Sequence, residues 1–277
     1  MVEIFTDSCC DLSAEQIASN HLHVIPLYVH FKDETYLDGV TITPPQLFEM
    51  VKQTGVLPKT SAPSIPTFSD QFGTADEAVY IGISSRLSAS VQNAILAKTE
   101  LGEREIHVLD SLTLSSAIGL LVLKAAQFRD EGKSAAAIAK ELTSWIPRTC
   151  CSFAIDTLDY LYMGGRCSAM TKVVGSMLKI RPIIEVARDG TLGVKTKVGG
   201  SRKKALASLT DDFKSKMPNI DMRRVFITHT STDEDAEALK AELIKIAPIQ
   251  EVCMTHAGAT IASHCGPGTI GVLYFTK

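Results

Sequence analysis

Residues 78–85 read Ala-Val-Tyr-Ile-Gly-Ile-Ser-Ser, an apolar run that stops at two hydroxyl side chains. A short run that is apolar at nearly every position is typical of a strand buried on both faces of a parallel sheet. A helical pattern over Ser88–Glu100 follows it, then a strand pattern over Glu105–Leu109 and a long apolar helix pattern over Ser116–Glu131. Because strands alternate with helices, this part of the chain predicts a parallel, doubly wound sheet.

The change from an apolar run to small polar residues recurs elsewhere in the chain. It is found at Thr6-Asp7-Ser8, at Thr60-Ser61 and at Asp110-Ser111, and a glycine-rich turn at Ser263–Gly268 contains His264. In an open α/β sheet, ligands bind beyond the carboxyl ends of the strands. We therefore expect one polar pocket built from distant segments. Hydroxyls and one imidazole, rather than a basic cluster, favour a single small anion or polar head group.

Composition restricts the function classes. The 277 residues are 45% hydrophobic and carry a formal net charge of −3, so nothing at the level of the whole chain favours nucleic acid or an anionic membrane as a partner. The chain begins with a strand pattern rather than a secretory signal, and it has no apolar run of the roughly 20 residues that a membrane span needs. We expect a cytoplasmic protein without stable membrane insertion.

The motifs give no sign of a metal or a cofactor. The seven cysteines are an odd number with two adjacent pairs, which makes a poor disulfide framework. The chain has neither a zinc-site spacing of Cys and His nor the G-x-x-x-x-G-K-[ST] signature of a phosphate-binding loop. We predict no metal site and no cofactor.

The pattern changes character near Pro147. Before it, strands and helices alternate; after it, Arg181–Ala187 and Leu192–Val198 form a hairpin pattern about Asp189-Gly190, a strong turn pair. We predict an N-terminal three-layer α/β domain with a mainly parallel sheet over residues 1–149. A C-terminal α+β domain with a mixed sheet follows over residues 150–277.

Some local predictions bear on the site. Val24–Phe31 is interpreted as one strand, Tyr36–Gly39 as a turn, and Lys59–Ser64 as a loop that precedes a helix. Ala169–Leu178 is interpreted as a helix, and His264 is placed in the turn at Ser263–Gly268.

The hydroxyl pairs allow two interpretations each. Thr60 and Ser61 can bind an anion together with backbone N–H groups at a helix N-terminus, or serve as ordinary caps. Ser84 or Ser85 can hydrogen-bond a carboxylate or act as a nucleophile. The G-x-S-x-G context of a nucleophile elbow is missing here, and Ser88 is interpreted as the cap of the next helix.

The remaining candidates are equally open from their residues alone. His264 is either part of a site or structural. Asp7 either caps the turn after the first strand or orients a partner. Gly164-Gly165-Arg166 is either a hinge or an anion contact, and Arg166 can equally form a plain salt bridge between domains.

Taken together, these segments resemble the DegV family of bacterial fatty-acid-binding proteins. The similar motifs occur in order across nearly the whole chain, which makes the resemblance specific although each motif alone is weak. They are T-D-S-x-x-D-L at residues 6–12, T-S-x-P-S at 60–64, I-S-S-x-L-S at 83–88, D-T-L at 156–158, G-G-R-x-S at 164–168 and H-x-G-P-G at 264–268.

The resemblance implies a two-domain protein that holds one long-chain fatty acid, with the carboxylate at the domain interface and the acyl tail in the C-terminal domain. It also implies that the protein is not an enzyme by itself. It would be the lipid-presenting partner of a separate ATP-binding fatty acid kinase subunit, whose acyl phosphate product enters phospholipid synthesis. By motif position, the implied carboxylate contacts are Thr60, Ser61, Ser84, Ser85 and His264. The implied supporting residues are Asp7, Ser8, Gly165, Arg166 and Gly266, and Arg202 would contact the kinase.

Two rival functions remain. A serine-dependent acyl hydrolase would use Ser84 or Ser85 with His264 and an acid such as Asp110. A stand-alone lipid carrier would bind the fatty acid without any kinase partner.

Overall fold

The computed structural model describes residues 2–166 and 180–277. The strands in these ranges are β1 (Glu3–Asp7), β2 (Leu22–Ile25), β3 (Tyr28–Phe31), β4 (Glu34–Leu37), β5 (Lys59–Ser61), β6 (Glu77–Gly82), β7 (Glu105–Asp110), β8 (Thr149–Ala154), β9 (Ile180–Val186), β10 (Leu192–Gly199), β11 (Ile220–His229), β12 (Val252–His256) and β13 (Ile270–Thr276). The α-helices are α1 (Ala14–Ser19), α2 (Pro44–Thr54), α3 (Ile65–Phe72), α4 (Ser90–Glu100), α5 (Ser116–Asp130), α6 (Ala135–Trp145), α7 (Asp159–Gly164), α8 (Arg202–Lys216), α9 (Asp233–Ile246) and α10 (Ala259–Cys265).

The first sheet is parallel and has the strand order β2-β1-β6-β7. Successive side chains of a strand point to opposite faces, and here both faces are buried. Phe5 and Tyr80 pack with Phe68 and Phe72 of α3 on one face, whereas Val79 and its neighbours on the other face pack against α5. The predicted α/β layering around a parallel sheet is confirmed.

The second sheet is mixed and has the order β10-β9-β8-β13-β11-β12. Strands β11 and β12 pair in parallel, and the other neighbours are antiparallel. The predicted hairpin of β9 and β10 is present, and Gly190 provides its turn with a φ of +83°. The two sheets divide along the chain near residue 149, whereas the domain ranges 1–149 and 150–277 stay a prediction.

Helix α5 lies between the two sheets. It contacts β1 and β6 of the first sheet and β8, β11 and β13 of the second. A helix that is apolar on all sides is stable only when it is buried on all sides, and Ile118, Leu121 and Val122 are fully buried. The second sheet is covered on its other face by α8 and α9.

A third, antiparallel sheet with the order β4-β3-β5 corrects three local predictions. Val24–Phe31 is not one strand, because Pro26 has no amide hydrogen for the ladder and ends β2 before β3 begins in another sheet. Tyr36 lies in β4 rather than in a turn. Thr60 and Ser61 lie in β5 rather than in a loop.

Helix α10 corrects the predicted turn around His264, which lies in the last turn of this helix. The buried Ala259 and Ala262 pack against β3 and α2, and Gly266 ends the helix with a φ of +77°. The predicted helix Ala169–Leu178 lies outside the described residues. None of the described helices has the length and apolar character to cross a membrane.

Candidate functional site

A cavity of about 270 Å³ lies where the third sheet, the loop after β6, and helices α7 and α10 meet. Its walls are mostly apolar, with a minority of polar side chains. The polar members are Thr60, Ser61, Ser88, Arg166, Thr260 and His264, and the apolar members are Leu27, Ala62, Ile83, Leu87, Ala89, Leu114, Leu161, Leu192, Ile261 and Cys265. A mostly apolar pocket with a few convergent polar groups is typical of a small-molecule site.

Thr60 and His264 meet in this cavity although 204 residues separate them. The Oγ1 atom of Thr60 lies 2.7 Å from Nε2 of His264. Burial and, to a smaller extent, the nearby positive charge of Arg166 together lower the pKa of His264 to about 4. The imidazole is therefore neutral at pH 7, and it forms a hydrogen-bonded pair with a hydroxyl.

Gly164 lets helix α7 pack against the Nδ1 side of the His264 ring. A Cβ atom at Gly164 would lie 2.3 Å from Nδ1 of His264, so only glycine lets α7 pack this closely. Within the described ranges, Nδ1 of His264 is buried without a hydrogen-bond partner. Buried polar atoms of this kind are uncommon and often have a functional reason.

Ser61 and Arg166, both predicted from the sequence, also line the cavity. The Oγ atom of Ser61 lies 2.8 Å from Nε2 of His30, on the exposed side of the small sheet. The guanidinium of Arg166 donates to the Gly164 carbonyl at 2.6 Å. Gly165, between them, ends α7 with a φ of +66°.

Ser88 is a cavity residue that the sequence reasoning missed, since it was interpreted only as a helix cap. The predicted cap is wrong, because Ala89 is the N-cap residue of α4, although the Oγ atom of Ser88 does accept a hydrogen bond from the Ser90 amide. The same side chain also lines the cavity. The sequence signal that could have identified Ser88 is its position at the end of the I-S-S-x-L-S motif.

Ser84 and Ser85 lie outside the described wall of the main cavity. Ser84 is fully buried, and its hydroxyl donates to the Gly190 carbonyl at 2.9 Å, which ties the first sheet to the β9–β10 hairpin. Ser85 is exposed, and its amide donates to the Asp110 carboxylate at 3.2 Å. Neither residue belongs to the described cavity wall, to which this loop contributes Ile83, Leu87 and Ser88.

Asp7 and Ser8 stabilise two segments of the cavity wall, the loop after β6 that contains Ile83 and the segment before β3 that contains Leu27. Asp7 is buried and accepts hydrogen bonds from the Ile83 amide at 2.8 Å and the Tyr80 hydroxyl at 2.9 Å. Burial raises the pKa of Asp7 to about 6. Ser8 donates to Asp38 at 2.8 Å and accepts from the Leu27 amide at 3.1 Å.

Two further buried acids hold α10, the helix that carries His264. Asp11 accepts a hydrogen bond from the Gly258 amide at 2.8 Å, and Asp38 accepts one from the Ala259 amide at 2.6 Å. Carboxylates are favourable at a helix N-terminus because they satisfy its amides and oppose its dipole. The sequence reasoning missed this role. Asp11 was present in the T-D-S-x-x-D-L motif, but nothing local linked Asp38 to α10.

Arg202 and Gly266 stabilise the turn that follows α10. The guanidinium of Arg202 donates to the Gly268 carbonyl at 2.7 Å and to the Thr232 hydroxyl at 2.8 Å, and it also pairs with Asp156 and Asp235. A Cβ atom at Gly266 would lie 2.7 Å from the Tyr160 ring. Arg202 is thus engaged by its own chain, with its side chain 23% exposed.

A smaller cavity of about 20 Å³ lies behind the main one, between α5 and the second sheet. Leu114, Ile261 and Cys265 line both cavities. Cys151 and Phe153 belong to the far wall of the smaller one. These three shared side chains separate the main cavity from the smaller one, which lies against the C-terminal sheet.

Comparison with known proteins identifies the family. The protein-family model described as "Uncharacterised protein, DegV family" matches residues 1–277 of this chain. This chain belongs to the DegV family. A DegV domain-containing protein of Deinococcus radiodurans is 34% identical over 276 residues, which is 98% of this chain and 97% of the relative.

Solved DegV structures share the fold along the whole chain. A structure from Thermus thermophilus, described as fatty acid binding of a DegV family protein, is 29% identical with a TM-score of 0.92 and covers 100% of this chain and 99% of its own. The Streptococcus pneumoniae fatty acid kinase (Fak) B3 protein, loaded with linoleic acid, is 22% identical with a TM-score of 0.88 and covers 100% of both chains. At this lower identity, the likeness shows the fold alone.

Proposed function

We propose that this DegV protein binds one long-chain fatty acid and presents its carboxylate to a separate ATP-dependent fatty acid kinase subunit, which forms an acyl phosphate. The observation that carries the proposal is the cavity. Hydroxyls, a neutral imidazole and one guanidinium stand among apolar walls, and a smaller cavity lies between these walls and the second sheet. The Thermus thermophilus relative, described as binding fatty acid, supports the same ligand.

The carboxylate binds at the polar residues of the main cavity in this proposal. Nε2 of His264 carries the proton and donates to Thr60, so that the Thr60 hydroxyl donates in turn to a carboxylate oxygen. Ser61, Ser88 and Arg166 supply the remaining donors. Ser84 and Ser85 make no direct contact with the carboxylate in this proposal, and Ser84 instead stabilises the packing of this loop against the β9–β10 hairpin. Each hydrogen bond to the charged head group contributes about 1.5–3 kcal/mol.

The tail supplies most of the affinity. Each buried methylene contributes about 0.8 kcal/mol, so fourteen of them contribute on the order of 11 kcal/mol before the costs of ordering. The inner cavity holds roughly one water molecule. A tail that enters it must therefore displace the side chains shared by both cavities, of which Leu114 and Ile261 are the largest.

The phosphoryl transfer is assigned to a partner because this sequence has no phosphate-binding loop signature. A carboxylate oxygen attacks the γ-phosphorus of ATP, the new O–P bond forms, the bond to the β-phosphate oxygen breaks, and ADP leaves. Hydroxyl donors hold the head group while an oxygen lone pair remains available. The exposed Tyr162 and Met163 of α7 lie beside Gly164 and offer the kinase an apolar contact. In this proposal Arg202 orders the neighbouring turn and faces the kinase with its exposed part.

The first test is native mass spectrometry of the protein purified without added lipid. We expect one fatty acid per chain. A bound nucleotide, or an unliganded protein that also takes up no added fatty acid, would contradict the proposal. Fatty acid binding without acyl phosphate formation in the presence of kinase subunits would instead favour a stand-alone carrier. Hydrolysis of an ester substrate without nucleotide, lost on changing Ser84 or Ser85, would favour the acyl hydrolase.

A further inference from the structure

Two histidines end neighbouring strands at one edge of the second sheet. His229 is the last residue of β11 and His256 is the last residue of β12, and the parallel pairing places them opposite each other. Their ring centroids lie 4.5 Å apart. Asp233, the first residue of α9, lies over the same edge.

The potential metal-ligand atoms of these three side chains lie close to one another. Nε2 of His256 lies 3.0 Å from Oδ1 of Asp233, and Nε2 of His229 lies 3.9 Å from the same oxygen. One ligand atom from each residue can be chosen so that all lie within 4.8 Å of one another. With zinc–nitrogen and zinc–oxygen bonds of about 2.0–2.2 Å, tetrahedral ligand atoms lie roughly 3.3 Å apart. Shifts of about one ångström therefore complete the geometry.

The loop between His229 and Asp233 makes this approach possible. Ser231 adopts the left-handed conformation with a φ of +49°, which reverses the chain so that α9 begins above the strand it follows. Metal binding would cost His229 one weak hydrogen bond. At present the Thr232 amide donates to Nδ1 of His229 over a long distance of 3.4 Å. If Nε2 coordinates the metal, the imidazole proton lies on Nδ1, which can then no longer accept this hydrogen bond.

We propose that His229, Asp233 and His256 form a binding site for a divalent transition metal of the zinc type. Two imidazole nitrogens and one carboxylate oxygen suit zinc, cobalt(II) or nickel, whereas magnesium and calcium prefer all-oxygen sites. Three protein ligands leave one position for water or a further ligand. The spacing of the ligands along the chain matches no metal motif, because the strand pairing and the Ser231 turn bring them together.

The site is separate from the proposed fatty-acid head group. His229 lines the smaller cavity, whereas His264 and Thr60 line the main cavity. The metal ligands are therefore distinct from the residues that hold the carboxylate in the proposed function.

The experiment is a titration of the full chain, stripped of metal with a chelator, with cobalt(II) followed by visible absorbance and with zinc followed by calorimetry. We expect one equivalent to bind. His256→Ala and Asp233→Asn should each weaken binding at least tenfold. These side chains are 68% and 71% exposed, so the variants retain the fold, which circular dichroism verifies.

His23→Ala is the matched control. His23 is also an exposed imidazole paired with a carboxylate, at 2.7 Å from Glu3, and it lies outside the described metal-ligand cluster. Cys253→Ser controls for the thiol nearest to His256 along β12. Equal binding by wild type and His256→Ala, equal weakening by His23→Ala, or a thiolate-to-cobalt band lost in Cys253→Ser would each overturn the proposal.

Discussion

His264 shows how closely single residues determine the site. Thr60 holds one ring nitrogen, and Gly164 covers the other without a side chain. The sequence singled out Thr60 because a hydroxyl pair ends an apolar run there, and His264 because it precedes a glycine-rich turn. It could not show that the Thr60 hydroxyl pairs with the imidazole, because the contact spans 204 residues and depends on the packing of β5 against α10.

Gly164→Ala tests the close approach. The new methyl group would lie 2.3 Å from Nδ1 of His264, so α7 or the ring must move. We expect a loss of about 1–3 kcal/mol in the free energy of unfolding and weaker fatty acid binding, measured by urea denaturation and by lipid titration. Gly193→Ala is the control, because a Cβ atom there meets no atom within 4 Å. Equal effects of the two substitutions would contradict this prediction.

The low pKa of His264 predicts a defined pH dependence. Since its pKa is about 4 in the folded state and 6.5 in the reference state, the unfolded chain binds the proton more readily between these values. The His264 contribution to stability is therefore complete above pH 6.5 and falls by about 3 kcal/mol as the pH drops to 4.

His264→Gln isolates this effect. Asp7 acts in the opposite direction, because its raised pKa of about 6 favours the folded state as the pH falls below 6. Burial also raises the pKa of Asp11 and of Asp38, so the wild-type curve alone mixes His264 with these carboxyl groups. We expect the difference in unfolding free energy between wild type and His264→Gln to shrink from pH 7 to pH 4 in denaturant titrations. A difference that is independent of pH would show that His264 titrates normally.

At the scale of elements, the strand and helix pattern was largely predictable. Helix α5 begins at the predicted Ser116 and ends at Asp130, one residue before the predicted end, because its long apolar run is buried on all sides. Helix α10 was missed, because a seven-residue helix is not stable by itself and depends on tertiary contacts. Strand β5 was missed because its three residues form a strand only by pairing with β3.

Asp38→Asn tests how α10 is anchored. The two oxygens of Asp38 accept hydrogen bonds from the Ala259 amide and from the Ser8 hydroxyl. Asparagine has only one acceptor oxygen, so one of these donors would face the amide NH2 group, which cannot accept. We expect a loss of about 1–3 kcal/mol in unfolding free energy, together with weaker fatty acid binding because α10 carries His264. Asp33→Asn in the exposed β3–β4 turn is the matched control. A wild-type affinity in a destabilised Asp38→Asn protein would mean that α10 keeps its position without this carboxylate.

At the scale of the molecule, the cavity is built from both halves of the chain. Thr60 and Ser88 come from the first half, whereas Arg166 and His264 come from the second. Helix α5 fills the space between the two sheets, and Ser84 joins the halves through the Gly190 carbonyl. The sequence predicted a site between distant segments. The packing of the two halves determines which hydroxyl groups face the cavity. A local sequence pattern cannot predict this packing.

The adjacent serines therefore give the sharpest test of the whole arrangement. Ser84→Ala leaves the buried Gly190 carbonyl without its donor, so we expect it to lower the free energy of unfolding by about 1–3 kcal/mol. Ser85→Ala, at an exposed position, should change it by less than about 0.5 kcal/mol. Both should bind fatty acid nearly as tightly as wild type, whereas Thr60→Val should bind about tenfold more weakly in lipid titrations. If either serine variant instead loses as much affinity as Thr60→Val at unchanged stability, then the carboxylate contacts that serine and the two halves must close further when lipid binds.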